Sequence, residues 1–340
     1  MKVTHKKITV IAPARLHMGF IDLSGSLGRH FGSIGVALNE INTRISVSYA
    51  EQLTLSGMPS ERALKSIKQL CATLNVSDKL HFEISSCIPE HVGLGSGTQM
   101  SIALGLALSE YYQLGLNVRD IASLTARGTR SGIGIAIFEQ GGLVVDGGRG
   151  ENTVTPPVIS RMNVPDDWRF ILVFDKRGQG LHGDAEIQAF KELPPFSHQE
   201  AARLCYSLMM QGLPALAEND ISLFGDVITQ LQNSAGEHFA SAQGGVFTSE
   251  EVAEAMQFLQ DQGAVAVGQT SWGPTGFCAV QGAQLAEQLK QQVEQNYAHC
   301  ENLSVLVVSV RNTGGEVLVE QDVERTLVRK LAAHVKAAKD

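Results

Sequence analysis

One short stretch constrains this chain more than any other: Pro89-Glu-His-Val-Gly-Leu-Gly-Ser-Gly-Thr-Gln99. His81 to Ser85 before it reads as a strand, and Thr98 to Leu114 after it reads as a helix apolar nearly all round, hence buried. Gly93, Gly95 and Gly97 let the backbone take conformations closed to other residues and come close to a ligand. Ser96 and Thr98 add hydroxyls. The following helix aims its unpaired N–H groups and positive dipole end back at the loop. Strand, glycine loop and buried helix in that order make an anion site, most usefully for phosphate. The plain alternative is a tight strand–helix turn with no ligand. The stretch is neither a Walker loop nor a Gly-x-Gly-x-x-Gly after the first strand.

Around it the chain mixes strands and helices. Lys7 to Pro13 is a first strand, Gly19 to Gly35 a long glycine-rich loop, and Ile41 to Tyr49 a half-buried strand. Pro59 to Leu74 has helical spacing with Ser60 as N-cap, and Asn117 caps a helix to Arg127. Trp168 to Phe174 is a strongly apolar strand. After it, helices at about 197–211, 218–233, 248–262 and 282–297 alternate with strands at about 264–269, 275–281 and 303–310. Gln321 to Asp340 reads as a basic amphipathic helix that docks or is solvated. At 340 residues and 44% hydrophobic, the chain can fill two cores. The expectation is an α+β protein with domains at 1–160 and 161–320 and a tail at 321–340.

Several classes fall away. No run of about 18 apolar residues is present to span a membrane. Met1 to Val10 lacks the apolar core of a signal peptide. Cys71, Cys87, Cys205, Cys278 and Cys300 are odd in number and scattered, which signals neither a disulfide framework nor a zinc site and suits a reducing cytoplasm. With 35 acidic against 27 basic residues, the net charge of −8 argues against nucleic acid but leaves room for a locally basic pocket.

Four further clusters bear on chemistry. Pro13 to Gly25 crowds Arg15, His17 and Asp22. Arg15 offers a fork for phosphate or carboxylate, and Asp22 an acceptor for sugar hydroxyls or a metal ligand. Ala126 to Ile135 holds Arg127, Arg130 and Ser131 among glycines as another anion loop, with Arg127 equally readable as a charge at a helix C-terminus. Asp175 to Glu186 gathers Lys176, Arg177, His182, Asp184 and Glu186 around three glycines. Gly268 to Phe277 places Ser271 and Gly273 where they can close over a ligand, or form a plain hairpin.

Pro89-x-x-x-Gly-Leu-Gly-Ser-Gly-Thr98 resembles the phosphate-binding loop of the GHMP superfamily of small-molecule kinases, and the first and last clusters lie where that family's other motifs lie. The resemblance covers residues 8 to 310. It implies an N-terminal domain like the second domain of ribosomal protein S5 and a ferredoxin-like C-terminal domain. Kinase members carry Ser-Gly-x-Asp, whose Asp is the acid/base. The similar segment here is Ser131-Gly-Ile-Gly134, and Gly97 stands at the loop's usual second serine.

Ala14 to Gly25, Gly128 to Ile135 and Arg177 to Glu186 are similar to the β-ribofuranosylaminobenzene 5′-phosphate synthase branch of methanopterin biosynthesis. That resemblance implies condensation of 5-phosphoribosyl 1-pyrophosphate with 4-aminobenzoate, releasing carbon dioxide and pyrophosphate. It also implies Mg²⁺, with no pyridoxal, nicotinamide or flavin cofactor, and a homodimer without nucleic-acid or membrane partners. On this reading Gly93, Gly95, Ser96, Gly97 and Thr98 take pyrophosphate, and Ser131, Arg177, Ser271 and Gly273 take phosphate. Arg15 and Arg130 hold phosphate or carboxylate, His17 and His182 assist the leaving group, and Asp22 and Glu186 serve a metal. The alternative is a GHMP-type kinase using ATP.

Overall fold

The computed structural model describes residues 6–58, 61–177, 192–270, 273–321 and 328–331. Strands β1 (Lys6–Asp22) and β2 (Phe31–Tyr49) form one long antiparallel hairpin. The expected loop from Gly19 to Gly35 is therefore confined to its tip, residues 23–30. Glycine is required here for close packing. A Cβ at Gly35 would stand 2.6 Å from the Leu16 carbonyl oxygen and 2.7 Å from Ile133 Cγ2.

β3 (Thr54–Gly57), α1 (Glu61–Leu74), β4 (Leu80–Ser86), α2 (Ser96–Tyr112), α3 (Val118–Leu124), α4 (Ile133–Gln140), β5 (Leu143–Asp146) and β6 (Val158–Met162) follow. The first sheet has the path β12-β11-β1-β2-β4-β3, with β5 pairing β2 and β6. Asn117 caps α3 through a capping box, as its sequence predicts. α4 was not legible: Ala126 to Ile135 reads as an anion loop in sequence, yet Ile133, Ile137 and Val144 build a small core of their own.

The second half supplies β7 (Trp168–Asp175), α5 (His198–Ser207), a π-helical turn (Leu208–Gly212), α6 (Leu213–Ala217), α7 (Ile221–Gln243), α8 (Glu250–Asp261), β8 (Val265–Gln269), β9 (Thr275–Gln281), α9 (Ala283–Asn296) and β10 (Leu303–Ser309). Its sheet runs β10-β7-β9-β8. One face packs Ile171, Val173, Cys278 and Val280 against α8 and α9. The other turns Phe170, Leu172 and Phe277 into a core shared with Leu16, Val36 and Leu38 of the hairpin.

The chain then returns. β11 (Glu316–Gln321) pairs with β1, and β12 (Val328–Leu331) with β11. The tail is thus a strand over 328–331 where a helix was expected, because β11 presents an open edge that a further strand can extend.

The N-terminal core sets a stability test. Phe82 is fully buried among Ile45, Val47 and the apolar face of α2. Phe82→Ala is expected to cost about 3–5 kcal/mol in urea unfolding. Leu27→Ala, at a residue 80% exposed, is expected to change stability by less than about 0.5 kcal/mol.

Candidate functional site

The glycine loop sits where three parts of the chain meet. Gly95 is the N-cap of α2 at φ 83°, and no side chain caps that first turn, which leaves its N–H groups for a ligand. Arg15 on β1 lies against the loop. Its Nη1 donates to the Gly93 carbonyl at 2.6 Å, and its backbone N–H donates to the Leu94 carbonyl at 3.1 Å. From the second domain, Thr270 Oγ1 donates to the same Gly93 oxygen at 2.8 Å and Thr275 Oγ1 to the Val92 oxygen at 2.8 Å. A Cβ at Gly273 would meet that Val92 oxygen at 2.7 Å. The first, second and last glycine clusters thus converge, and Gly93, Gly95, Ser96, Gly97, Thr98, Arg15 and Gly273 share one region.

α4 abuts the same place. Gln99 Nε2 donates to the Gly134 carbonyl at 2.7 Å, and a Cβ at Gly134 would lie 3.2 Å from Thr98 Cγ2. Ser131, expected at a phosphate, is engaged otherwise. Its hydroxyl lies 2.7 Å from that of Ser33, and both reach Asp146 Oδ2. Asp146 also accepts from the Gly132 and Gly148 N–H groups. Burial pushes the Asp146 carboxyl above its ordinary range, and these four hydrogen bonds oppose that rise. The network fixes the start of α4, with the half-buried Arg130 just before it.

Two arginines missed as site residues stand beside the loop. A Cβ at Gly97 would lie 2.6 Å from Arg62 Nη2 and 3.5 Å from Arg127 Nη1. Arg62 comes from α1, far away in sequence, and nothing local marks it. Arg127 lay within a cluster already singled out, where a helix-terminal charge was an equal reading.

His17 is buried beside Phe20, with ring centroids 4.7 Å apart. Its Nδ1 accepts from the Gly19 N–H at 3.3 Å, which puts the proton on Nε2. That Nε2 has no hydrogen-bond partner and borders a cavity of about 30 Å³ walled by Phe20, Gln232, Phe239 and Gln269. Burial, then the Arg15 charge, hold the imidazole well below its usual range, so it is neutral near pH 7. The unfolded chain therefore takes up a proton at His17 below about pH 6.5 while the folded one does not. Stability is expected to fall on acidification from pH 7 to pH 5. His17→Gln should flatten that slope in urea titrations, and an unchanged slope would contradict a neutral His17.

Three of the expected site residues have other partners in the structure. Asp22 lies seven residues beyond Arg15 on β1, about 20 Å of strand. There its Oδ1 accepts from the Ser24 N–H, the Ser24 hydroxyl and the Gly25 N–H, so it caps a turn at the hairpin tip. Arg177 spends its fork on Asp175 and Glu251 at 2.9 and 2.6 Å, where a phosphate contact was expected. Ser131 is held as described above. His182, Glu186 and Ser271 lie outside the described residues.

Among the described residues no three His, Cys, Asp or Glu side chains converge on one point. An apolar cavity of about 250 Å³ at the hairpin tip, between Ile21, Val145, Leu208 and Met209, lies apart from the loop.

The chain matches the family described as GHMP kinases N terminal domain over residues 61–142 and GHMP kinases C terminal over 213–299. It is 32% identical over 321 residues to the beta-ribofuranosylphenol 5'-phosphate synthase of Archaeoglobus fulgidus, covering 90% of this chain and 98% of that one. It is 36% identical over 249 residues to the protein of that name from Methanocaldococcus jannaschii, covering 65% and 75%. In fold it is similar to homoserine kinase from Cytophaga hutchinsonii, with TM-score 0.64, 17% identity, and 92% and 97% covered.

Proposed function

This chain belongs to the beta-ribofuranosylphenol 5'-phosphate synthase family of GHMP proteins, and from that premise we propose that it joins the pentose of 5-phosphoribosyl 1-pyrophosphate to a benzoate with a para electron donor. The observation that carries the reading is the pairing of an arginine-flanked anion loop with Gly134. The loop can hold a diphosphate, and the position beside Thr98 has no side chain to take a proton.

The chemistry suits that site. The C1–O bond of the pentose breaks and its electron pair leaves with pyrophosphate, whose charge the loop N–H groups and Arg15 stabilise. The ring carbon bearing the carboxylate attacks C1, with the para donor supplying electron density. The bond to the carboxylate then breaks and its pair restores the aromatic ring, so carbon dioxide departs in place of a ring proton. No step needs a strong base. His17, neutral and with its Nε2–H unpartnered, is the buried imidazole proposed to assist the leaving group. A divalent cation bound to the substrate's diphosphate would supply further charge neutralisation there. The free cysteines suit a reducing cytoplasm.

The para group is open to choice on chemical grounds. The sequence resemblance points to 4-aminobenzoate, whereas the relatives' name specifies a phenol, which this route makes from 4-hydroxybenzoate. Each acid is to be incubated with 5-phosphoribosyl 1-pyrophosphate and Mg²⁺ without ATP, with the product weighed by mass spectrometry. A C-riboside 5′-phosphate from one acid or both is the expected result. Phosphoryl transfer from ATP to a small alcohol, with no such product, would replace this reading by a kinase.

A further inference from the structure

Resting on the diphosphate reading above, we infer that Arg62 and Arg127 form a two-pronged grip on the substrate's pyrophosphate across Gly97, and that Glu90 is the resident counter-charge which this group displaces. Both guanidinium tips fall within 4 Å of the point where Gly97 lacks a Cβ, at 2.6 Å for Arg62 Nη2 and 3.5 Å for Arg127 Nη1. Any side chain at 97 would occupy that space, so glycine there admits the two cations to the first turn of α2. Like charges brought together at the positive end of a helix are costly unless an anion joins them. Arg127 feels this: burial first, and then the Arg62 charge, lower its affinity for its proton.

The compensation on hand is small. Arg62 Nη1 meets Glu90 Oε2 at 3.3 Å, both groups being over a third exposed, and Arg127 Nε donates to the neutral Ser101 hydroxyl at 3.3 Å. Two fixed cations with a helix N-terminus thus face one solvent-screened carboxylate. A diphosphate offers oxygens for both forks at once and more charge than Glu90 brings. Glu90 belongs to the loop's own entry, Pro89-Glu90-His91, so exchanging it for substrate needs no distant motion.

The test is calorimetric titration of the full chain with inorganic pyrophosphate at low ionic strength. Arg62→Gln and Arg127→Gln are each expected to weaken binding about 10-fold or more, and the corresponding Lys variants less. Glu90→Gln is expected to tighten binding several-fold. That gain of affinity cannot arise from misfolding, so it keeps the inference testable if Arg127→Gln proves unstable. Affinities within twofold of the parent in both Gln variants and in Glu90→Gln would overturn it, even in a chain that makes the riboside. Loss of pyrophosphate binding in the arginine variants of a chain that makes no riboside would still support the grip. Displacement of bound pyrophosphate by 5-phosphoribosyl 1-pyrophosphate is the expected competition. Displacement by ATP alone would assign the grip to a nucleotide and overturn it.

Discussion

Gly95→Val is expected to lower kcat/KM for 5-phosphoribosyl 1-pyrophosphate by about 100-fold or more, chiefly through KM, in a chain that still folds. Gly95 sits at φ 83°, where a β-branched residue is strained by about 1–3 kcal/mol. A Cβ there would stand 2.8 Å from Arg15 Cγ, so the substitution also pushes away the cation that braces the loop. Ser96→Ala, by contrast, removes one hydroxyl and no backbone donor, and a loss of less than about fivefold is expected. Steady-state kinetics on both variants, with circular dichroism to confirm folding, separates an anion loop from a mere turn. Small and equal effects would favour the turn.

Arg15→Lys is the second large effect. The charge is kept, but the guanidinium fork is lost, and with it the 2.6 Å hydrogen bond to the Gly93 carbonyl. Losing a charge-assisted hydrogen bond in a partly buried site costs about 1.5–3 kcal/mol, or roughly 10- to 150-fold in kcat/KM. Arg177→Lys is the internal control. Its partners are Asp175 and Glu251, it is largely exposed, and kcat/KM is expected to stay within about twofold. Equal damage from both variants would return Arg177 to the site.

Local signals in the sequence carried the loop and its helix, because glycine spacing and an all-round apolar helix are consequences of near neighbours. Asn117 was legible as a cap for the same reason. Arg15, singled out in its own cluster, does lie against that loop. What failed was distance. Arg62 stands beside the loop only because α1 packs beside α2, a contact that no spacing encodes. Asp22 looked close to Arg15 because seven residues are few in sequence, yet in an extended strand they span the hairpin. Gly19 and Gly35 looked like part of a loop because composition cannot tell a flexible segment from a strand that must pass close to a helix. The tail looked helical because its periodicity is amphipathic, and strand pairing with β11 overrode it at 328–331.

The central claim is that a diphosphate leaves and carbon dioxide follows, without phosphoryl transfer. It is tested most directly with the para-substituted benzoate labelled at its carboxyl carbon. The chain is incubated with that acid, 5-phosphoribosyl 1-pyrophosphate and Mg²⁺, and labelled carbon dioxide and pyrophosphate are counted together. The account predicts one of each per riboside formed, with no change on adding or omitting ATP. Pyrophosphate release with the label retained in the product, or label release that requires ATP, would contradict it.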